Sequence, residues 1–326
     1  MRRHLPMIDF SGVGMACAGT PAWDAVQEQV MPALQFHGCF EAVYNRVASE
    51  LRLSLLEIAK DLLSLPLQTK LRNASDVPYG GYLGHFPGLA YESLAIRDAT
   101  LPHAIPNFAS LMWPSGSNPN FCEKARSFTK QVAELEEMVR RMVLESLGVA
   151  KYAEEQMQST YYLLRFTEYG AAGEWEEEKR KLAHMAHRDT NMLSIVCQLN
   201  EVDGLQVEAM DGEWHLAAPR SVASFFVIAG EAFHAWSNGR VYAPMHGVAM
   251  DGTVARYSAI LFSRPISEQT IQAPAELVDG DHPSLFRPFE YGDFLHFCVS
   301  AEGRKLKKCR LSAYRREEDI TKEDEA

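Results

Sequence analysis

The sequence predicts an α+β fold: a mainly helical amino-terminal region, then a jelly roll or barrel of short strands. Two observations carry that prediction. Up to Gly148 the apolar side chains recur mostly at helical spacing, and from residue 160 onward the period changes to two. The later strand-sized runs are separated by tight turns and not by helices, which favours a jelly roll or barrel over βαβ units.

Each element follows from local pattern. Residues 23–36 read as a helix that Pro32 is expected to kink or split. GCFEAVY (38–44) reads as a short strand. Leu51, Leu55, Ile58 and Leu62 recur at helical spacing, and Pro66 closes that segment. Residues 78–89, rich in Gly, Pro and aromatics, read as a loop. A second long helix is expected over 121–147, with Ala125, Phe128, Val132, Leu135, Val139 and Met142 on one face and Gly148 ending it. YYLLRFTEY (161–169), MLSIVCQL (192–199), GLQVEAM (204–210), EWHLAA (213–218), VASFFVIAG (222–230) and ARYSAILFS (255–263) all read as strands. Asp211-Gly212 reads as a two-residue hairpin turn. The charged residues 315–326 predict a disordered tail.

Composition narrows the function classes. A chain of 326 residues with 47% hydrophobic residues can bury a sizeable core. The formal charge of −11, with no local basic stripe, argues against a nucleic-acid partner. The start has no apolar run of signal-peptide length, and the stretch from Val222 to Ala229 is too short to span a bilayer. A cytoplasmic protein is expected. Cys17, Cys39, Cys122, Cys197, Cys298 and Cys309 contain no CxxC pair, so free thiols are expected and not disulfides or a zinc site.

The chemistry sits in the second half. His187-Arg188-Asp189 puts an imidazole and a carboxylate two residues apart, so in extended backbone both point the same way. His246 follows within Pro-Met-His-Gly-Val. Two imidazoles and one carboxylate on one face of an ion leave three positions open, which suits non-haem iron(II). An HxD pair alone is weak, because such pairs arise by chance. Arg256 and Ser258 strengthen it: they share one face of an apolar strand, where an inward arginine is costly unless it meets an anion. A guanidinium fork fits a carboxylate, and Ser258 adds a further bond. On 161–169, Arg165, Thr167 and Tyr169 share a face, so Tyr169 can reach the same anion. Arg165 reads equally well as a structural salt bridge. His184 lies three residues before His187, one turn away if helical, but no Glu completes an HExxH pattern. It reads as a residue beside the site or on the surface.

HxD, a distant His and then R-x-S resemble the plant 2-oxoglutarate-dependent dioxygenases. The resemblance covers nearly the whole chain, through LPMIDF (5–10), HGCFEAVY (37–44), LPLQTKLRN (65–73), GGYLGHFPGLAYESL (80–94), GLQVEAMDGEW (204–214), WSNGRVYAPMHGV (236–248) and APAELVDGDHPSLFRPF (273–289). HGCFEA and GGYLGHFP are most similar to the subgroup of alkenyl- and hydroxyalkyl-glucosinolate-producing dioxygenases and related steroidal-alkaloid hydroxylases. Two departures stand out. Arg188 replaces the Thr often found between His and Asp, and Thr167-Glu168-Tyr169 replaces Asn-x-Tyr.

The resemblance implies a double-stranded β-helix core with helices packed outside. It implies an amino-terminal dioxygenase region over 1–110, a catalytic jelly roll over 155–265, and a segment over 266–314 covering the active-site mouth. His187, Asp189 and His246 would bind Fe(II); Arg256, Ser258 and Tyr169 would hold 2-oxoglutarate. O2 is the oxidant, and ascorbate is expected to stimulate. The expected reaction hydroxylates a small specialised metabolite while 2-oxoglutarate becomes succinate. Auxin or gibberellin oxidation is the alternative, and an inactive small-molecule-binding relative a further one. Substrate would sit under the loop 78–91 and the segment 285–299, against Tyr82, Phe86, Phe286, Phe294 and Phe297. A monomer with no membrane or nucleic-acid partner is expected.

Overall fold

The computed structural model describes residues 4–84, 91–114, 116, 118–170, 184–250, 254–306 and 310–315. The expected tail at 315–326 lies outside these residues apart from Arg315, which ends a helix, and so do Phe86 and Cys309. The amino-terminal half runs β1 (Met7–Asp9), α1 (Pro21–Phe36), β2 (Cys39–Val43), α2 (Ser49–Leu63), α3 (Leu67–Lys70), β3 (Tyr91–Ile96), α4 (Ala104–Met112), α5 (Pro119–Ser146) and α6 (Ala153–Gln158). The remainder runs β4 (Thr160–Tyr169), β5 (His184–His187), β6 (Leu193–Gln198), β7 (Leu205–Glu208), β8 (Trp214–Leu216), β9 (Ser224–Ala229), α7 (Glu231–Trp236), β10 (His246–Val248), β11 (Arg256–Pro265), α8 (Tyr291–Val299) and α9 (Arg310–Arg315).

The strands form a seven-stranded sheet in the order β1-β2-β9-β6-β11-β4-β3 and a four-stranded sheet in the order β5-β10-β7-β8. All pairings are antiparallel except β1 with β2. The period-two pattern explains how the large sheet serves two cores. Leu164, Phe166, Ile195, Cys197, Phe225, Val227, Ala259 and Leu261 face the helices. Their neighbours Tyr169, Val196, Phe226, Ile228 and Ile260 face the small sheet, meeting Leu205, Val207, Ala217 and Val248. Both faces of these central strands are buried, so they read as nearly continuous apolar runs.

Helix α5 is the spine of the helical layer. Asn118 caps it, its Oδ1 accepting from the Phe121 amide at 3.0 Å, and Pro119 occupies the first helical position. Gly148, at φ +71°, provides the left-handed residue that lets the chain leave the helix. Its expected apolar face is buried in full. Helix α1 runs unbroken through Pro32, so the proline does not split it. Pro32 leaves the Glu28 carbonyl without a helical donor, but Trp23, Val26, Val30, Ala33 and Leu34 are buried and α1 packs against α5. Tertiary packing there outweighs one lost hydrogen bond.

The hairpin turn also differs from expectation. Ala209 N donates to Glu213 O at 3.0 Å, and Gly212 N donates to Ala209 O at 2.9 Å. Three residues therefore form the loop, with Gly212 at φ +80° as the left-handed third residue. Helices α4 and α7 were not evident as helices in the sequence. The five described cysteines are free thiols.

One buried ion pair joins the helical layer to the sheet. Arg140 donates to Glu136 Oε2 at 2.7 Å with both side chains fully buried, and Tyr162 OH donates to the same oxygen at 2.7 Å. Arg140 also donates to Thr160 Oγ1 at 2.8 Å. Arg140→Ala should destabilise the protein by about 3–5 kcal/mol, because it leaves a buried carboxylate uncompensated. Urea denaturation of the variant beside the wild type measures this.

Candidate functional site

Strand pairing brings the metal-type side chains together. His187 ends β5 and lies directly opposite His246 on β10, with ring centroids 4.5 Å apart. Asp189 follows two residues later: its Oδ1 is 3.5 Å from His187 Nε2 and its Oδ2 is 3.6 Å from His246 Nε2. One ligand-type atom from each residue lies within 4.8 Å of the others, so the three could hold a metal ion.

Neighbouring groups fix each of these side chains. His246 Nδ1 can only donate to the Pro244 carbonyl, 3.3 Å away, which leaves the Nε2 lone pair facing Asp189. Ser194 Oγ donates to Asp189 Oδ2 at 2.5 Å, and Asn191 donates to Ser194 Oγ at 3.1 Å. The Glu231 amide holds the Asp189 carbonyl at 2.7 Å. This close approach requires Gly230, since a Cβ there would lie 2.1 Å from the Asn191 carbonyl oxygen. Burial pushes His246 down to about 4, against the pull of Asp189. Burial alone would raise Asp189, but His246, His187 and Ser194 together hold it low. A neutral imidazole beside an ionised carboxylate is the state a metal requires.

A second group lies deeper. Arg256 is opposite Tyr169, and Ser258 is opposite both Thr167 and Gln198. The Arg256 guanidinium carbon stands 5.1 Å from the Tyr169 ring centroid. Its Nη2 donates to Gln198 Oε1 at 3.3 Å, while Gln198 Nε2 donates to Asp203. Arg256 Nε, Ser258 Oγ and Thr167 Oγ1 are buried and make no hydrogen bond. Three unsatisfied polar atoms around one buried cation are expensive unless an anion completes them. Burial lowers the Arg256 guanidinium below its usual value, with Tyr169 opposing, and raises the Tyr169 phenol.

The two groups share a cavity of about 370 Å³. Arg165 lines it without an ion-pair partner among the described residues. Its Nη1 donates to Ser93 Oγ at 2.6 Å and to Gly81 O at 3.3 Å, and its Nη2 to Tyr79 O. Arg264 Nη2 holds the Pro78 carbonyl at 3.1 Å. Two buried guanidinium groups thus fasten the start of the expected loop at Pro78, Tyr79 and Gly81, with Tyr79 in a left-handed conformation at φ 61°. From the other side come Cys298, Gly303, Arg304 and Arg310.

Four of the expected substrate aromatics are not brought to this cavity, and the fifth, Phe86, lies outside the described residues. Tyr82, Phe286, Phe294 and Phe297 are absent from its lining. Tyr82 bonds Glu92 through its hydroxyl, and Phe286 packs on His234 at 5.4 Å. Phe294 and Phe297 pack on Tyr314 at 5.5 and 4.9 Å. Apolar spacing cannot separate a pocket wall from core, and here core packing prevailed. His184 lies in β5 and not on a helical turn; its side chain is outside the described residues. Arg188 sends Nε to the Ala243 carbonyl at 2.8 Å. Sequence reasoning passed over Ser194, whose partner Asp189 is only five residues away, and Gln198 and Arg310, whose partners Arg256 and Arg188 are distant in the chain.

Comparison with known proteins agrees with this arrangement. The 2OG-Fe(II) oxygenase superfamily profile matches residues 154–265, and the profile of the non-haem dioxygenase in morphine synthesis N-terminal region matches 5–100. Among Arabidopsis thaliana proteins, the chain is 41% identical to "Probable 2-oxoglutarate-dependent dioxygenase AOP1.2", across 92% of each chain. It is 29% identical to "2-oxoglutarate-dependent dioxygenase AOP2", across 95% of this chain and 97% of that one. Among solved structures, the dioxygenase for auxin oxidation in rice superimposes with a TM-score of 0.74 at 27% identity, covering 97% of this chain and 98% of its own.

The loop fastening yields a prediction. Arg165→Gln removes the charge-assisted donors to the Tyr79 and Gly81 carbonyls. Amide hydrogen exchange over residues 79–83 should rise by about ten-fold or more, the loss of roughly 1.4 kcal/mol of local protection. Exchange in α5 should be unchanged.

Proposed function

The chain belongs to the 2OG-Fe(II) oxygenase superfamily, and we propose that it hydroxylates a small specialised metabolite at the cavity beside His187, Asp189 and His246. It is a 2-oxoglutarate-dependent dioxygenase with a jelly-roll core, using Fe(II), 2-oxoglutarate and O2. In our reading His187, Asp189 and His246 bind the iron, and Arg256, Ser258 and Tyr169 hold 2-oxoglutarate. The observation that carries this reading is one cavity lined by the three-residue donor set and by Arg256, whose Nε is unsatisfied, as is the Ser258 hydroxyl two residues along the same strand face.

The bound iron and co-substrate supply the oxidising power as 2-oxoglutarate is converted to succinate and CO2. The protein's own groups position and shield. Arg256 presents a planar fork to the far carboxylate, and Ser258 Oγ and Thr167 Oγ1 offer further hydroxyls. Ser194 and the Pro244 carbonyl keep Asp189 and His246 in a fixed ligating pose. The loop fastened by Arg165 and Arg264 limits water entry.

The cavity must hold co-substrate and substrate together, yet it lies near the lower end of ligand-pocket sizes, so a small substrate fits. The 41% identity to AOP1.2 exceeds the 27% to the rice auxin-oxidation protein, which favours a specialised metabolite over a hormone. A monomer in the cytoplasm without nucleic-acid partners completes the reading, and the charge of −11 supports the last of these. Among the described residues no helix is long and apolar enough to cross a membrane. We divide the chain as 1–110, 155–265 and 266–314; the profile matches over 5–100 and 154–265 support the first two segments.

Two sets of variants test this. His187→Ala, Asp189→Ala and His246→Ala should each lose stoichiometric iron and 2-oxoglutarate turnover while keeping the wild-type circular dichroism. Full iron and activity in His246→Ala would overturn the metal assignment. Arg256→Lys keeps the charge but loses the fork, so apparent 2-oxoglutarate affinity should fall about ten-fold, roughly 1.4 kcal/mol. Ser258→Ala should cost less. An unchanged 2-oxoglutarate requirement in Arg256→Lys would move that carboxylate to another cation.

A further inference from the structure

The charge of the cavity runs against the charge of the chain. The protein carries a formal −11, yet Arg165, Arg188, Arg256, Arg264, Arg304 and Arg310 all line the cavity. Asp189 is its only acidic lining residue among those described. Cations converging on a concave, low-dielectric site focus a positive potential into it.

These arginines differ in what they already hold. Arg256 is assigned to 2-oxoglutarate. Arg165 and Arg264 hold the carbonyls of residues 78, 79 and 81, and Arg188 Nε holds the Ala243 carbonyl. Arg310 is anchored through Nη2, which donates to the Arg188 carbonyl at 2.8 Å and lies 3.4 Å from Glu231 Oε2. The Tyr79 phenol stands beside Arg310 and Arg304. The Arg304 side chain makes no hydrogen bond or ion pair with a described residue; only its backbone amide is engaged, with Ser300 O. Through its bond to the Arg188 carbonyl, Arg310 stands beside the His187–Asp189 segment, and the cavity walls also include Leu83, Leu163 and Phe262.

We propose that the substrate carries an anionic group, a carboxylate or a sulfate or phosphate ester, that seats against Arg304, Arg310 and the Tyr79 hydroxyl at the cavity mouth. Its apolar part then lies along the inner walls, with the reacting carbon toward the three metal-type ligands. This inference rests on the dioxygenase reading of the same site. Arg256 does not serve the substrate, because in that reading it holds the far carboxylate of 2-oxoglutarate and then of succinate. Arg310 is held in place by Glu231, while Arg304 remains free to close on the anion, so the two divide anchoring from capture.

The experiment uses protein loaded with Fe(II) and saturating 2-oxoglutarate, kept free of oxygen and titrated calorimetrically with matched probes. The pairs are 4-phenylbutyrate against 4-phenylbutyramide, and 3-phenylpropyl sulfate against 3-phenylpropanol. Saturating 2-oxoglutarate removes Arg256 as a competing anion site. Each anion should bind at least about ten-fold more tightly than its neutral partner, with the preference weakening as salt rises. The stronger of the two anions identifies the group the mouth is shaped for. Arg304→Gln should reduce anion affinity by about three- to ten-fold and leave the neutral partner unchanged. Equal binding of the paired probes, no binding of either, or an unaltered preference in Arg304→Gln overturns the proposal. Succinate release in air without added substrate tests the dioxygenase reading separately. Its absence beside an intact anion preference would sink that reading and leave the anion site standing.

Discussion

Strand β11 is paired on both edges, with β4 on one side and β6 on the other, and its register decides what enters the cavity. The side-chain period of a strand is two, so a slip of one residue would exchange every inward group for its outward neighbour. Arg256 and Ser258 would then face the helices, and Tyr257 and Ala259 would face the cavity. The register is held by burial on the far face, where Ala259 and Leu261 pack among the helical residues. The helical layer has no part in the chemistry, yet it determines which atoms the chemistry can use. Helix α5 and the Glu136–Arg140–Tyr162 cluster secure that layer to β4.

A second register sets the metal-type group. His187 and His246 meet because β5 and β10 pair antiparallel at that residue, at a point where the pairing then becomes irregular. The irregularity lies between His184 and His187; beyond His187 the strand ends, and Asp189 is held by Ser194 and by the Glu231 amide. The donor set is thereby shaped before any ion arrives, which reduces the cost of organising it.

The charge distribution follows a single logic. Buried guanidinium groups are costly, and each one in the cavity is offset differently: by backbone carbonyls for Arg165 and Arg264, by a carboxylate for Arg310, and by a side-chain amide and a tyrosine ring for Arg256. Arg256 has the poorest protein partners, leaving its Nε and the Ser258 and Thr167 hydroxyls unsatisfied. That deficit sets the position for an external carboxylate apart from the structural arginines.

The sequence by itself determined the site's chemical content. His187 and Asp189 share a short segment, Arg256 and Ser258 share one strand face, and local spacing fixes both relations whatever the rest of the chain does. The same holds for the period change near residue 160 and for the long stripe of α5, since hydrophobic periodicity is a property of contiguous residues. Tertiary structure alone decided which aromatics are wall and which are core. Phe294 carries the same apolar signal in either place, and only its packing on Phe289 and Tyr314 assigns it. It also decided that Pro32 sits inside an unbroken helix and that Arg165 holds a loop. Both outcomes depend on partners more than 80 residues away in the chain, such as α5 for Pro32 and Gly81 for Arg165, a separation over which no sequence period carries information.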